Sequence, residues 1–191
     1  MNDTAYQELV STQQINSTCT WLLLSEGYAA GPHYNEGGSG SNFLCLHEDP
    51  QWRTYREADT SYAGSIYGVE YQLQDHSSAF SRTNNAGNSL YDGPAPCAVC
   101  YVGGRSTILM VPARTQCPDG WTTEYGGWMV SERGVDRKRS SYICWDEAPE
   151  VAIGPMDQDQ ALAYVVEVHC GTLPCSVYHD ARELTCVVCS K

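Results

Sequence analysis

The stretch Pro96-Cys97-Ala98-Val99-Cys100 returns near the C-terminus as Thr185-Cys186-Val187-Val188-Cys189. Each copy belongs to a frame of four cysteines, which are Cys19, Cys45, Cys97 and Cys100 in the first half and Cys117, Cys144, Cys186 and Cys189 in the second. Two further blocks recur in the same order, residues 43–50 as 142–149 and residues 67–70 as 164–167. This pattern predicts an internal duplication with its boundary near Cys117.

The duplication divides the chain into three parts. Residues 1–18 form a tail or lead-in strand, residues 19–116 a first repeat and residues 117–191 a second. Only 18% of the residues are charged, and glycine and tyrosine are plentiful, which favours a loop-rich β protein. No long amphipathic helical pattern is present. We therefore predict an all-β fold of two pseudo-symmetric, disulfide-rich repeats with short strands and hairpins.

Three strand regions stand out. The apolar runs 97–102 and 105–111 flank Gly103-Gly104, which predicts a hairpin because a primed turn needs positive φ at both central positions. The alternating run 161–170 and the apolar run 184–189 predict two further strands. The chain ends at Lys191, so the second copy lacks a return strand, and we expect the N-terminal segment to pair with its last strand.

Ten cysteines in a short chain indicate disulfides and an oxidising compartment. Residues i and i+3 of a strand face opposite sides, so each Cys-x-x-Cys should join two different elements. The favoured pairs are Cys19–Cys100, Cys45–Cys97, Cys117–Cys189, Cys144–Cys186 and Cys170–Cys175. Exchange of partners within each half stays open. The two Cys-x-x-Cys pairs lie too far apart for a zinc finger, and their β-branched surroundings disfavour a thioredoxin-like redox site.

Charge and hydropathy limit the partners. A net charge of −12 disfavours nucleic acid, which is bound through cationic groups. No apolar run reaches membrane-spanning length, so we expect no membrane insertion. No signal peptide is visible at Met1, and we expect a mature fragment with a new start methionine. Sequons at Asn2 and Asn16 are candidate glycosylation sites. We predict a secreted, extracellular glycoprotein.

The sequence carries no recognisable catalytic pattern. Its histidines lie outside zinc-protease motifs, and Ser39 lacks the second glycine of a nucleophile elbow. The segment His47-Glu48-Asp49 corresponds to Asp146-Glu147-Ala148 in the other copy. A general base missing from one copy is better explained as a surface residue. We predict that the protein is not an enzyme, with no catalytic residues and no cofactor other than calcium.

An aromatic segment is the main candidate binding site. Trp121, Tyr125 and Trp128 lie beside Gly126-Gly127, and such rings stack on the apolar faces of sugars in a concave site. The alternative is that these rings belong to the core or shield disulfides. The adjacent basic segment 133–139 offers Asp136, Arg137 and Arg139 as a grip for anionic glycans. Its alternative is a solvated hairpin tip.

Acidic residues offer a calcium site. Asp157 and Asp159 supply carboxylate oxygens of the kind that calcium prefers. The EF-hand spacing is absent, and the alternative is a solvated acidic rim.

Two segments carry a family resemblance. They are residues 97–112, with Cys97-Ala98-Val99-Cys100 and Gly104 to Pro112, and residues 173–189, with Leu173-Pro174-Cys175 and Arg182 to Cys189. Together they resemble the cysteine-rich non-collagenous domain of the short-chain collagen-like proteins of sponges, corals and molluscs, over roughly residues 19–191. The resemblance implies a secreted protein of matrix or mucosal character, and some sponge lectins are similar. No Gly-X-Y stretch is present, so collagen structure is excluded for this chain.

These observations together predict a secreted, non-enzymatic, lectin-like protein whose partners are glycans or glycoproteins. One alternative is a structural extracellular-matrix or biomineral-associated protein that binds calcium through acidic loops. Another is a matrix module that forms a homo-oligomer through residues 1–18.

Overall fold

The computed structural model describes residues 19, 22–53, 63–73, 80, 83 and 87–191, and these contain eleven strands and no helix. In chain order the strands are β1 (Leu22–Gly31), β2 (Leu44–His47), β3 (Tyr67–Gln72), β4 (Pro96–Tyr101), β5 (Ile108–Pro112), β6 (Thr122–Ser131), β7 (Ile143–Asp146), β8 (Ala161–Val165), β9 (Glu167–Val168), β10 (Arg182–Glu183) and β11 (Thr185–Ser190). The predicted all-β class is confirmed. The predicted strand over residues 161–170 is interrupted at Val166, between β8 and β9.

Nine strands form one mixed sheet. Its main path runs β2-β1-β3-β8-β6-β11-β5, with β4 paired to β1 and β7 paired to β6. Strands β3 and β8 are parallel, and the other pairings are antiparallel. Strands β9 and β10 form a separate two-stranded sheet. The β3–β8 pairing therefore connects the strands around β1 with the strands around β6 in one sheet.

Strands β1 and β6 each contact three other strands. Gly27 of β1 lies opposite β2 on one side and Cys97 of β4 on the other. Gly127 of β6 lies opposite β7 on one side and Cys186 of β11 on the other. A Cβ at Gly27 would lie 1.6 Å from the carbonyl oxygen of Leu46, and one at Gly127 would lie 1.8 Å from a neighbouring carbonyl oxygen. Only glycine permits this close approach of two backbones.

Five disulfides cross-link the described strands and loops. They are Cys19–Cys100, Cys45–Cys97, Cys117–Cys189, Cys144–Cys186 and Cys170–Cys175. These are the favoured pairs rather than the exchanged ones. In each Cys-x-x-Cys the two cysteines bind different partners, as expected from the alternation of side chains along a strand. By the loop-entropy argument each long-range bridge contributes about 4 kcal/mol to stability.

The predicted hairpin at Gly103-Gly104 is wrong. Gly104 has a left-handed φ of 75° and the chain does turn there, but β4 pairs with β1 whereas β5 pairs with β11. The carbonyl of Lys191 accepts hydrogen bonds from the backbone N–H groups of Ser106 and Thr107, which aligns β5 with the final strand. The pairing of β5 with a strand that is distant in sequence therefore overrides the local preference for a hairpin.

The expected pairing of the N-terminal segment with the last strand is also wrong. Strand β11 is flanked by β5 on one edge and β6 on the other, so neither edge is open. Residues 1–18 lie outside the described residues, as do Asn2 and Asn16 within them.

The larger core draws on both halves of the chain. Its buried residues include Ala29, Phe43, Val69 and Tyr71 from the first half and Val130, Trp145, Ala163 and Val165 from the second. The rings of Tyr71 and Trp145 lie 5.2 Å apart between centroids. A smaller core comprises Tyr125, Met129, Cys144, Cys186 and Val188. Within the described ranges no helix is long and apolar enough to cross a membrane.

Candidate functional site

An open groove of about 480 Å³ lies where β6 ends beside β8. Its volume falls within the range of small-ligand sites. Its chemically distinctive lining residues are Glu132, Arg133, Tyr142, Tyr164, Glu167 and His169. We refer to it below as the Glu132 groove.

The end of β6 sets the position of Glu132. Ser131, the last residue of β6, lies opposite Tyr164 of β8. The backbone N–H of Glu132 then donates to the hydroxyl of Ser140 at 2.8 Å, and its Oε1 accepts from the N–H of Leu162 at 3.1 Å. The N–H of Leu162 therefore holds the carboxyl group beside β8, while the hydroxyl of Ser140 fixes the backbone of Glu132.

The Glu132 carboxyl group is buried at this position. The residue is 8% exposed, and Oε2 has no hydrogen-bond partner among the described residues. Burial raises the pKa of Glu132 to about 7, although the N–H of Leu162 opposes this shift. A buried acceptor without a donor is costly, and a ligand that supplied a donor would remove that cost.

Arg133 is fixed by two neighbours. Its guanidinium donates to Oδ1 of Asp136 at 3.0 Å and lies 5.1 Å from the centre of the Tyr164 ring. The Asp136 side chain is only 5% exposed. Burial also raises the pKa of Tyr164 to about 12, so its hydroxyl stays protonated near neutral pH. Together these contacts give the groove a fixed wall of guanidinium and phenol.

The corresponding corner of the first half is built differently. His33 packs edge-on against Tyr67 with ring centres 5.0 Å apart, and the Tyr67 hydroxyl donates to Glu36 at 2.9 Å. A hollow of about 430 Å³ nearby is lined by Gly31, Pro32, Gly40, Ser41, Asn42, Leu44, Ser65 and Ile66. This hollow has no charged side chain in its lining, whereas the Glu132 groove has four that are charged or can become so.

The predicted aromatic patch is not formed. Tyr125 is buried in the smaller core, and its hydroxyl donates to the carbonyl of Cys144 at 3.1 Å; this burial raises its pKa. Trp128 packs against the larger core on the other side of the sheet. Trp121 is partly buried just before β6 begins. The alternative interpretation, in which these rings stabilise cores, therefore describes Tyr125 and Trp128.

Some side chains of the basic segment 133–139 are exposed and others are buried. Arg137 and Arg139 are exposed, as a grip for anionic glycans requires. Asp136 is instead the buried partner of Arg133 and is not available to a ligand. Lys138 is buried, and its Nζ donates to the carbonyls of Gly38 and Ser39. The segment thus connects two loops from different halves of the chain.

Asp157 and Asp159 lie on an exposed loop with left-handed φ values of 56° and 49°. The N–H of Asp157 donates to the carbonyl of Asp92, and the N–H of Asp159 donates to the Glu70 carboxylate at 3.2 Å. Burial, with the nearby charges of Asp159 and Asp92, raises the pKa of Glu70. Within the described ranges, no group of three or more His, Cys, Asp or Glu is arranged to hold a metal ion.

None of the six distinctive residues of the groove was a candidate binding residue in the sequence, and only Arg133 lay within a candidate segment. Tyr142 and Tyr164 both lie at the start of blocks that recur in the sequence, where similarity was visible but burial was not. Glu132 had no sequence signal, because its environment depends on β8, about thirty residues away in the chain. The basic segment includes Arg133 of the groove as its first residue, but its candidates Asp136, Arg137 and Arg139 do not line the groove.

Comparison with protein-family models and with solved structures finds no match to this chain.

Proposed function

We propose that this protein is a secreted, non-enzymatic, lectin-like protein that binds extracellular glycans in the Glu132 groove. The main support is one observation: an open groove combines two tyrosine rings with a buried carboxyl oxygen that has no described hydrogen-bond partner. Ring faces attract the apolar C–H surface of a sugar, and a few fixed polar groups set its orientation. Tyr142, which is 62% exposed, offers the more accessible ring.

The disulfides support the proposed compartment. Five bridges and no free cysteine in the described ranges are compatible with an extracellular protein, because such bridges persist in oxidising environments.

We also propose that residues 19–116 and 117–191 are copies of one unit. Equivalent backbone hydrogen bonds support this. Ala29 donates to the carbonyl of Ala95 as Met129 donates to that of Leu184, and Glu48 donates to Glu26 as Glu147 donates to Gly126. The β1 and β6 neighbourhoods share the same register, including an irregularity at the β1–β4 and β6–β11 pairings. Membership in the short-chain collagen-like family remains part of this proposal.

A glycan array tests the binding role. The wild type should bind a defined set of glycans, and Tyr142→Ala should weaken that binding roughly two- to tenfold, the usual value of one aromatic contact. Tyr101→Ala is the matched control, because Tyr101 is also exposed but lies on β4 outside the groove. A wild type that binds no glycan, with or without calcium, would contradict the proposal.

The alternative is a structural matrix protein that binds calcium through acidic loops such as that of Asp157 and Asp159, which lies near Glu70 and Asp92. Repulsion among these carboxylates contributes to the raised pKa values of Glu70 and Asp92, and a bound cation would relieve it. An increase in melting temperature at millimolar calcium, lost in Asp157→Asn, would favour this alternative. No change in melting temperature would count against it.

A further inference from the structure

The Glu132 groove has a distinctive electrostatic character. Its lining contains the carboxylates of Glu132 and Glu167. Its guanidinium, Arg133, is already paired with Asp136, and the imidazole of His169 lies 3.5 Å from Asp180. Arg133, and His169 when it is protonated, therefore each lie beside a carboxylate. The protein as a whole carries a net charge of −12. A positively charged ligand is therefore favoured over a negatively charged one.

The buried carboxyl oxygen of Glu132 strengthens the preference for a positively charged ligand. Oε2 is shielded from water and lacks a described partner. Rotation of a glutamate carboxyl about its last side-chain bond is soft, so a donor entering the groove can reach this oxygen. An ammonium group has three N–H donors and a full charge, and its hydrogen bonds to a carboxylate are about twice as strong as neutral ones.

The tyrosine rings of the groove also favour a positively charged ligand. The π face of an aromatic ring attracts a cation within about 6 Å. Arg133 already occupies such a position at Tyr164, whereas the ring of Tyr142 is largely exposed beside it. A sugar that stacks on Tyr142 could direct an amino substituent towards Glu132.

From these observations we infer that the groove selects glycans that carry a free, protonated amino group, such as deacetylated hexosamine units. This inference rests on the glycan-binding role proposed above. An N-acetyl group in the same place has one N–H donor and no charge, so it gains little from the two carboxylates. Uronate, sialate and sulfate groups are disfavoured here by like charge.

The test compares two tetrasaccharides that differ only in N-acetylation, fully deacetylated chitotetraose and its fully N-acetylated form. Each is titrated into the full chain by calorimetry at two salt concentrations and at pH 7.0, where the carboxylate form of Glu132 is substantially populated. The deacetylated sugar should bind roughly ten- to a hundredfold more tightly, as expected for a charge-assisted hydrogen bond in a partly buried site. Glu132→Gln, which keeps the side-chain shape, should abolish most of this difference, because it should weaken binding of the deacetylated sugar far more than binding of the acetylated one.

Two controls separate this site from general attraction to an acidic protein. Glu48→Gln removes one carboxylate from an exposed loop outside the groove, and it should leave both affinities unchanged. Spermine, a polyamine without a sugar ring, should bind at least tenfold more weakly than chitotetraose. If Glu132→Gln does not fold, Glu167→Gln on the exposed part of the lining gives the same comparison and should reduce the preference.

The outcomes separate the two proposals. Equal affinity for the two sugars, tighter binding of the acetylated one, or an equal loss in Glu48→Gln would overturn the preference for amines while leaving glycan binding in place. Failure of both tetrasaccharides to bind, together with a negative glycan array, would overturn both proposals.

Discussion

Replacement of Gly127 by alanine is predicted to destabilise the protein strongly. Gly127 lies between β7 and β11 in the middle of β6. An alanine Cβ there would lie 1.8 Å from the carbonyl oxygen of Trp145 and 2.7 Å from its carbonyl carbon. Both atoms belong to the backbone, so no side-chain rotation relieves the clash. The β6–β7 pair must separate, which weakens a pairing of four residues that includes Trp145.

The magnitude follows from this geometry. Overpacking a well-packed interior costs about 1–3 kcal/mol, and a clash between two backbones belongs at the upper end. For a chain of this size, about 3 kcal/mol corresponds to a decrease in melting temperature of roughly 6–12 °C. Gly126→Ala is the matched control, because a Cβ at Gly126 would have its nearest neighbour at 3.8 Å. Its melting temperature should stay within about 2 °C of the wild type.

Differential scanning calorimetry of the oxidised protein measures both variants. Gly27→Ala extends the experiment, since its Cβ would lie 1.6 Å from the carbonyl oxygen of Leu46. If the two halves are copies of one unit, Gly27→Ala and Gly127→Ala should be destabilised to a similar extent. Equal melting temperatures for Gly127→Ala and Gly126→Ala would refute the strand register described here.

Three further predictions concern stability. Because burial raises the pKa of Glu132 from 4.5 to about 7, the unfolded chain loses this proton first. Stability should therefore fall as the pH rises from 4.5 to 7, by roughly 1–3 kcal/mol once solvent screening is allowed for; urea unfolding of Glu132→Gln should lack this decrease, and parallel pH curves would contradict it. Lys138→Met should lower the free energy of unfolding by about 1–3 kcal/mol in the same assay, because it leaves the carbonyls of Gly38 and Ser39 without their donor. The control is Arg137→Met at an exposed position, which should change that free energy by less than about 0.5 kcal/mol. Peptide mapping under non-reducing conditions should find five bridges and no free thiol, and a bridge between residues 19–116 and 117–191 would oppose the assignment.

The cysteine framework was the most predictable feature of the fold. The repeated spacing and the alternation of side chains were enough to give the two cysteines of each Cys-x-x-Cys different partners, but exchange of those partners within each half stayed open until the structure assigned Cys45–Cys97 and Cys144–Cys186. Strand pairing was less predictable. Gly103-Gly104 has the composition of a hairpin turn, but β5 pairs with β11, and backbone hydrogen bonds between Thr107 and Lys191 extend that pairing. The sequence predicts the local turn, but the strand with which β5 pairs is decided by the tertiary structure.

The binding candidates were predicted only in part. Tyr125 and Trp128 have the composition of a sugar-binding patch, but they lie on opposite faces of one strand and contribute to two cores. Arg133 of the predicted basic segment lines the Glu132 groove. The role assigned to Glu132 depends on its approach to Leu162 of β8, and no local pattern encodes that contact. Composition therefore indicated a segment next to the groove, while burial and strand pairing determine which residues line it.

The most direct test of glycan binding in the Glu132 groove is a crystal structure with the tightest-binding glycan from the array. The account predicts a sugar ring stacked on Tyr142, with a donor of the sugar within hydrogen-bond distance of the Glu132 carboxylate. A sugar bound instead beside Trp121, or at the apolar hollow near Ile66, would contradict it.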